Sequence, residues 1–330
     1  MTRQQTLVVL RRALIASAVI LALAANLVGL ATIVIDHQRA FDWDNYVEAA
    51  RRFPLGTMYD WQNPYGYHYA PQLAPVLGVL SGAGITAWRV AHFVALAVLP
   101  SRTLALVLLV SYPFWADVNT GNLMVFVLLA AAWAYRGNSV ATGAYLVLCV
   151  LIPRPIMLPL LGWLLWQRPA WRGPFLGMVA LAVLTAIPTG YLPDWIGSLR
   201  SSGVKDVGND FNLSPSRFVG AAWMIVGVPL GLWLTLRGRL GWASMAISPY
   251  LLPYWVQMLG LELVRPATRS ASEPTDGDST MSARDRGGSA RMRSIRPGSR
   301  RMSVRVLGCR AERAGYPESR STSRSARSIE

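Results

Sequence analysis

The chain has 330 residues, of which 53% are hydrophobic and 15% are charged, and its formal net charge is +15. Its many separate apolar runs exceed what the core of a water-soluble protein can bury, and several approach the roughly 20 residues that cross a bilayer. The runs lack the alternation of a β-barrel, so they are predicted to be transmembrane helices. The positive charge does not indicate nucleic-acid binding, because cytoplasmic loops of membrane proteins are routinely basic.

The apolar segments run from the N-terminus to about residue 260. The first follows a charged start, and its length favours an uncleaved span over a signal peptide. The candidate spans are 13–35, 69–83, 86–100, 102–117, 121–135, 139–152, 155–168, 174–191, 217–236 and 240–258. The positive-inside rule places the first loop, 36–68, and the polar segment 192–216 outside. Counting from the two ends gives opposite sides for 118–120, so one short segment between 69 and 117 is predicted not to cross completely.

The last part of the chain, residues 261–330, is rich in Arg, Ser and Gly and has no apolar run worth burying. Such a segment cannot bury enough apolar surface to offset the entropy lost on ordering, so it is predicted to be a disordered basic tail. It is either a solvated tail or the product of a reading-frame shift in GC-rich DNA, because the apolar sequence stops abruptly. The predicted organisation is a membrane domain over 1–260 followed by this tail.

Two carboxylates follow the first span in the stretch AFDWDNYVEAARRF, residues 40–53. On a helix, Asp42 shares a face with Tyr46, whereas Asp44 lies roughly 200° around the axis. The two acids therefore have different surroundings and do not form a side-by-side pair. If Asp42 is partly buried, its proton affinity is raised and it can act as a general base. The competing interpretation is that Asp42 caps the helix or is solvated.

Aromatic residues and a histidine lie between this helix and the next apolar run: Tyr59, Tyr67, His68 and Tyr69. Tyr and Trp often form a belt at the membrane surface, and that alone would explain the tyrosines. Aromatic rings also stack on sugars, and His68 is the one histidine placed among polar neighbours, so a substrate site is the alternative. His92 lies within an apolar stretch and is predicted to be a satisfied core residue.

Two polar insertions interrupt the later apolar runs. The first carries Asn119 and Asn122, and the second places Arg154 between two prolines, which break the helix. An arginine at membrane depth needs a partner or a cavity, and its forked guanidinium suits phosphate. Snorkelling at a helix end is the alternative for Arg154. The sequence has no metal-ligand spacing, so no metal site is predicted.

These motifs, in this order, resemble those of glycosyltransferase family 87, multi-span enzymes of the GT-C type that take a sugar, often mannose, from a polyprenyl phosphate. The matching positions are Asp42, Tyr46, Ala49–Ala50, Gly56, Tyr59, Tyr69, Pro71, Gly121–Asn122, Arg154–Pro155, Asn212, Ser214 and Ser248–Pro249. The chain departs from the family at Ala70, which replaces Pro, at Asn122, which replaces Gln, and at Arg154, which replaces Lys. It also lacks the family's last spans.

The resemblance implies an all-α, polytopic transmembrane bundle with about 9–10 apolar segments, in the cell membrane and with its active site outside. It implies an inverting hexosyltransferase whose general base is Asp42, with Asp44, Tyr46 and His68 as second choices or supporting groups. The donor phosphate and sugar would be bound by Arg154, Tyr59, Tyr67, Tyr69, Asn119 and Asn122. The partners implied are a polyprenyl-phosphate sugar, a lipid-linked or cell-envelope acceptor and membrane lipid, with no metal or other cofactor.

Two other classes of protein stay open. The first is a non-enzymatic membrane protein, either a transporter or a scaffold for envelope lipids. A transporter would place ionisable groups at mid-membrane and show repeated halves with broken helices. Here the acids concentrate at one surface and no repeat is visible, which favours the enzyme. The second class is an inactive, truncated relative, which the missing last spans favour.

Overall fold

The computed structural model describes residues 3–35, 40–60, 66–207 and 211–266. Within these ranges all regular structure is helical, in agreement with the predicted all-α class. The α-helices are α1 (Arg3–Ile35), α2 (Phe41–Arg52), α3 (Leu73–Ser81), α4 (Gly84–Ala97), α5 (Arg102–Val110), α6 (Tyr112–Thr120), α7 (Met124–Tyr135), α8 (Ser139–Leu151), α9 (Leu158–Gln167), α10 (Arg172–Ala186), α11 (Leu192–Val207), α12 (Ser216–Val219), α13 (Trp223–Leu236) and α14 (Leu240–Ile247). A 3-10 helix, Pro253–Leu263, follows α14.

Three helical stretches in the described part are long and apolar enough to cross a membrane: Val8–Ala31, Pro169–Ala186 and Ser216–Leu236. Helices α3 and α4 meet the same criterion only when taken together. Other predicted spans form shorter helices; α7 has 12 residues and α8 has 13. At a rise of about 1.5 Å per residue, such helices reach about 20 Å and fall short of the ~30 Å hydrocarbon core. Fewer single helices can therefore cross than the sequence predicted.

The breaks lie between residues 69 and 117, where the sequence predicted an incomplete crossing. The axes of α3 and α4 meet at 105°, and Gly84 takes a left-handed φ of +80° at the junction. Next, α5 and α6 have only 9 residues each. They are separated by Ser111, whose backbone is extended (φ −95°, ψ 138°) just before a proline in the first turn of α6. These bends bring the ends of short helices together inside the domain.

The polar segment 192–216 is more regular than the sequence suggested. Helix α11 covers its first part, and Asp194 lies in the first turn of that helix, where a negative charge is favoured by the helix dipole. Pro193 is also in this turn, a position that tolerates proline because its N–H would have no partner in the helix. Among the residues described after α11, Asn212–Ser216 form a turn. This turn makes hydrogen bonds to the segment that follows α14.

Helix α2 lies against the domain along its length. Its buried residues include Trp43, Tyr46 and Ala49. The helix approaches α3 so closely that a Cβ placed on Gly78 would lie 2.9 Å from the Cβ of Ala50. This small-residue contact fixes how deeply α2 packs, and with it the position of Asp42.

The helical domain extends past the predicted boundary at residue 260. Leu261 and Val264 are buried, and Glu262 pairs with Arg239 at 3.1 Å. Glu262 also accepts a hydrogen bond from the N–H of Gly241 at 3.0 Å, which ties the 3-10 helix to the start of α14. The predicted tail from residue 267 onward lies outside the described residues, as do 36–39 and 61–65 of the first loop.

Candidate active site

Asp42 is on the first turn of α2, outside the candidate spans, but it does not cap that helix. The N-cap position is Ala40, and no side chain caps the helix. Instead, the amide of Asn122 donates to Oδ2 of Asp42 at 2.8 Å, and the hydroxyls of Thr120 and Tyr254 lie within hydrogen-bonding reach. The carboxylate therefore points into the protein, which is the orientation that a base in a binding cleft requires.

The surroundings of Asp42 change its proton affinity. Burial raises the pKa of Asp42 above the ordinary aspartate value. Hydrogen bonds from Asn122 and Thr120 oppose part of this rise, as does the positive charge of Arg154. Because the effect of burial prevails, the carboxylate holds a proton more tightly than a solvated aspartate does, which makes it a stronger base.

A cleft opens beside Asp42. Its lining comes from α2, from the chain that leads into α3, from the break before α9 and from the segment after α14: Asp42, Asn45, Tyr46, Gly66, Tyr67, His68, Tyr69, Arg154, Tyr250, Leu252, Tyr254 and Trp255. The cavity within it measures about 50 Å³. This is room for a few water molecules, which is less than the volume of a sugar ring.

Arg154 faces the same cleft as Asp42. Its backbone is extended before Pro155, as expected for a residue that precedes proline. Its guanidinium lies 5.4 Å from the ring centroid of Tyr69 and 5.4 Å from that of Trp255. These two cation–π contacts hold the group in place. Arg154 is half-buried and lines the cleft, so it does not snorkel along the domain surface.

The predicted tyrosines form a packed cluster rather than an open stacking platform. Tyr46, Tyr67 and Tyr69 are buried, and the hydroxyls of Tyr46 and Tyr69 lie 3.4 Å apart. Tyr67 donates to the carbonyl of Ala70 at 3.0 Å, and Tyr59 donates to that of Tyr69 at 2.7 Å. Tyr67 and Tyr69 still contribute to the cleft wall, but little of either ring is exposed.

Several predicted residues lie away from the cleft lining. Asp44 is on another side of α2, as the helical spacing indicated, and Tyr59 packs against Tyr67 and Tyr191 instead. Asn119 is half-buried on α6 and is not part of the lining. Asn122 is buried outside the cleft lining and donates a hydrogen bond to Asp42. The structure therefore brings Asp42, Tyr46, His68, Arg154, Tyr67 and Tyr69 together at the cleft, with Asn122 beside Asp42.

Sequence reasoning missed the wall opposite α2, which comes from residues 250–255. Tyr254 is the clearest omission, because it both lines the cleft and contacts Asp42. A signal was available in the dense aromatic stretch SPYLLPYW, but hydropathy merges that stretch with a candidate span. Only the fold shows that its rings turn toward α2.

Two separated polar motifs hold this wall. Oδ1 of Asn212 accepts from the backbone N–H groups of Ser214 at 2.9 Å and Leu251 at 3.0 Å. The hydroxyl of Ser214 donates to the carbonyl of Ser248 at 2.9 Å, and that of Ser216 donates to the carbonyl of Pro249. The Asn-x-Ser and Ser-Pro motifs are thus structural partners that fix the start of the aromatic wall.

Within the described ranges, no three His, Cys, Asp or Glu side chains come together as a metal site would require. No family model, no curated protein and no solved structure matches this chain.

Proposed function

We propose that this protein is an integral membrane glycosyltransferase. It transfers a hexose, with mannose the first candidate, from a polyprenyl phosphate to a lipid-linked or cell-envelope acceptor, with inversion at the anomeric carbon. The observation that carries the proposal is that a base and a cation share one cleft: Asp42, with its raised proton affinity, and the ring-held Arg154. These are the two charges that such a transfer needs.

The reaction needs a single base. Asp42 takes the proton of the acceptor hydroxyl as its oxygen attacks the anomeric carbon from the side opposite the phosphate. The bond from that carbon to the phosphate oxygen breaks, and its electron pair leaves with the lipid phosphate. The phosphate is already a stable anion and needs no acid, so the paired carboxylates of glycosidases are not required. Arg154 stabilises the negative charge on the departing phosphate, and Asp42 returns its proton to water.

We infer that the narrow cleft widens when the donor binds. A volume of about 50 Å³ is too small for a hexose, so the wall at residues 250–255 or the chain at 66–69 has to move before the donor binds. Closure afterwards excludes water, which would otherwise hydrolyse the donor. A membrane enzyme is the natural setting, because the polyprenyl chain reaches the site sideways from lipid. The three apolar helices and the basic loops support a multi-pass protein in the cell membrane with its cleft outside.

Sugar transfer by purified protein tests the proposal. The assay uses detergent-solubilised wild type, labelled polyprenyl-phosphate mannose or glucose, and a lipid extract of the source organism. We expect the wild type to transfer the label and Asp42→Asn to lose transfer. Asp44→Asn is the matched control, since it makes the same chemical change on the same helix away from the cleft. No transfer from either donor by folded wild type would refute the proposal.

A transporter is the second candidate, and the sharp bend between α3 and α4 is the observation that favours it, because broken helices form substrate sites in transporters. Proteoliposomes separate the two functions. A transporter moves labelled lipid between the leaflets without changing its chemistry, whereas the enzyme converts the donor to a new product.

A further inference from the structure

We propose that Asn122 is the positioning residue for Asp42, and that its role is to hold and stabilise the carboxylate rather than to bind sugar. The turn that carries Asn122 is held in place by His92 and Asp117, which contact it from the protein interior. The inference rests on the proposed function, because that function makes Asp42 the general base. The geometry and the main test of the inference are independent of sugar transfer.

The turn after α6 is pressed directly against α2. Gly121 ends α6 with a left-handed φ of +69°, and its N–H donates to the carbonyl of Asp117. A Cβ at position 121 would lie 2.8 Å from the Cβ of Trp43, the residue next to Asp42. Trp88 also donates its indole N–H to the carbonyl of Gly121 at 2.9 Å. Contacts with Trp43 and Trp88 therefore fix the backbone at Gly121, and the next residue, Asn122, lies beside Asp42.

The Asn122 side chain has one possible orientation. Its Oδ1 accepts from the backbone N–H of Leu123 at 2.6 Å. This identifies the oxygen and leaves the NH₂ group to donate to Oδ2 of Asp42 at 2.8 Å. The residue is only 2% exposed and is not part of the cleft lining, so its amide is already used by the protein. It is therefore poorly placed to bind the donor, the role that the family resemblance implied.

His92 and Asp117 support this turn from the interior. Nε2 of His92 lies 3.0 Å from the carbonyl oxygen of Asn122, and Nδ1 lies 2.8 Å from that of Trp88. The carboxylate of Asp117 accepts from the N–H of Val125 at 2.7 Å, at the start of α7. His92 and Asp117 are fully buried. They join α4, α6 and α7 around the Asn122 backbone, which fixes the point from which the amide reaches Asp42.

Asn122 has a distinct effect on the base. The charged and titratable groups that face Asp42 or share its cleft are Arg154, His68 and five tyrosines: Tyr46, Tyr67, Tyr69, Tyr250 and Tyr254. Asn122 is a neutral donor, like the hydroxyls of Thr120 and Tyr254, and its hydrogen bond to the carboxylate measures 2.8 Å. The amide favours the ionised form of Asp42, since it donates to the charged oxygen. Its bond is to Oδ2, so it holds one oxygen of the carboxylate in a fixed position.

The test measures the protonation of Asp42 without substrate. A hydrophobic carbodiimide modifies protonated carboxyl groups, so the pH at which modification of the Asp42 peptide is half-maximal, read by mass spectrometry, reports its titration. A hydrogen bond to a charged group corresponds to a shift of about one pH unit or more. We expect Asn122→Leu to move the midpoint upward by that amount and Asn122→Gln, which keeps the donor, to stay close to the wild type.

The control is Asn26→Leu, which makes the same substitution where the amide donates to the carbonyl of Ala22 on its own helix. An unchanged midpoint in folded Asn122→Leu overturns the inference. If that variant does not fold, Asn122→Ser replaces it, because serine keeps a polar group near the Leu123 N–H but is too short to reach Asp42. An unchanged midpoint in folded Asn122→Ser likewise overturns the inference. A shifted midpoint in a protein without transferase activity keeps the inference and refutes the proposed function. Transferase activity with an unshifted midpoint supports the proposed function and refutes the inference about Asn122.

Discussion

Removing the charge of Arg154 should separate its part in the reaction from its part in the fold. Arg154→Met keeps much of the length and apolar surface of the side chain but removes the cation between Tyr69 and Trp255. Each ring contact, at 5.4 Å from the guanidinium, contributes about 0.5–1 kcal/mol at such a site. We therefore expect the free energy of unfolding to fall by about 1–2 kcal/mol, which leaves the protein folded.

The kinetic effect should be larger than the effect on stability. Loss of one group that stabilises developing negative charge typically lowers kcat by about 10²–10³-fold, or roughly 3–4 kcal/mol. Arg154→Lys keeps the charge but loses the forked geometry, so we expect a loss of kcat within about tenfold. Removing the cation also raises the pKa of Asp42 further, since Arg154 lowers it in the wild type. The pH dependence of transfer by Arg154→Met should therefore move upward.

The assay is transfer from labelled polyprenyl-phosphate mannose at saturating donor, measured across pH, with melting temperatures recorded in parallel. Arg136→Met is the matched control. Its guanidinium lies 5.5 Å from the ring of Trp133 and donates to the carbonyl of Pro100 at 2.8 Å, away from the cleft. Wild-type kcat in Arg154→Met, or an equal loss in Arg136→Met, would refute the assignment of Arg154 to the leaving phosphate.

Three further predictions use other parts of the structure. Transfer should fall as pH is lowered through the raised pKa of Asp42, and Asp42→Asn should abolish it at every pH; an equal loss in Asp44→Asn would show that the helix orientation is wrong. Gly121→Ala should lower the free energy of unfolding by about 1–3 kcal/mol, because the new Cβ would lie 2.8 Å from the Cβ of Trp43 and φ at this position is +69°. Gly190→Ala is the control: it has a similar φ of +74° but open surroundings, so it should lower the free energy of unfolding by less. A cysteine replacing Val47, which is 37% exposed, should react with an impermeant reagent from outside intact cells, and reaction only after permeabilisation would reverse the topology.

The sequence predicted best where local spacing determines orientation. The four-residue spacing of Asp42 and Tyr46 put both on the face of α2 that lines the cleft, and the proline after Arg154 predicted the backbone break that directs its side chain. The apolar stretch around His92 predicted a core residue, and its ring nitrogens do face carbonyl oxygens in the interior.

The sequence predicted less where packing between distant segments decides the structure. Hydropathy does not detect the bend at Gly84 or the break at Ser111, so it overestimated the number of complete crossings. It also gave no means of placing Tyr254 beside Asp42, because that contact depends on the turn at Asn212, far away in the chain. The predicted end of the domain at residue 260 missed Leu261 and Val264 because a few buried residues beside an Arg-rich segment scarcely change its composition.

The long 3-10 helix gives the cleft a dependence on a residue that does not touch it. Such helices have three residues per turn and seldom exceed one or two turns, so these 11 residues are held by their neighbours. Tyr254, Gln257 and Gly260 lie in one straight row along the axis. Gln257 donates to the carbonyl of Pro113 at 3.3 Å, and a Cβ on Gly260 would meet a methyl group of Leu104 at 2.4 Å. The helix therefore connects α5 to the residue that contacts Asp42. A methyl group added at Gly260, about 12 Å along the axis from Tyr254, would press on the end of the Leu104 side chain, and the part of this strain that Leu104 does not absorb acts on the helix that carries Tyr254.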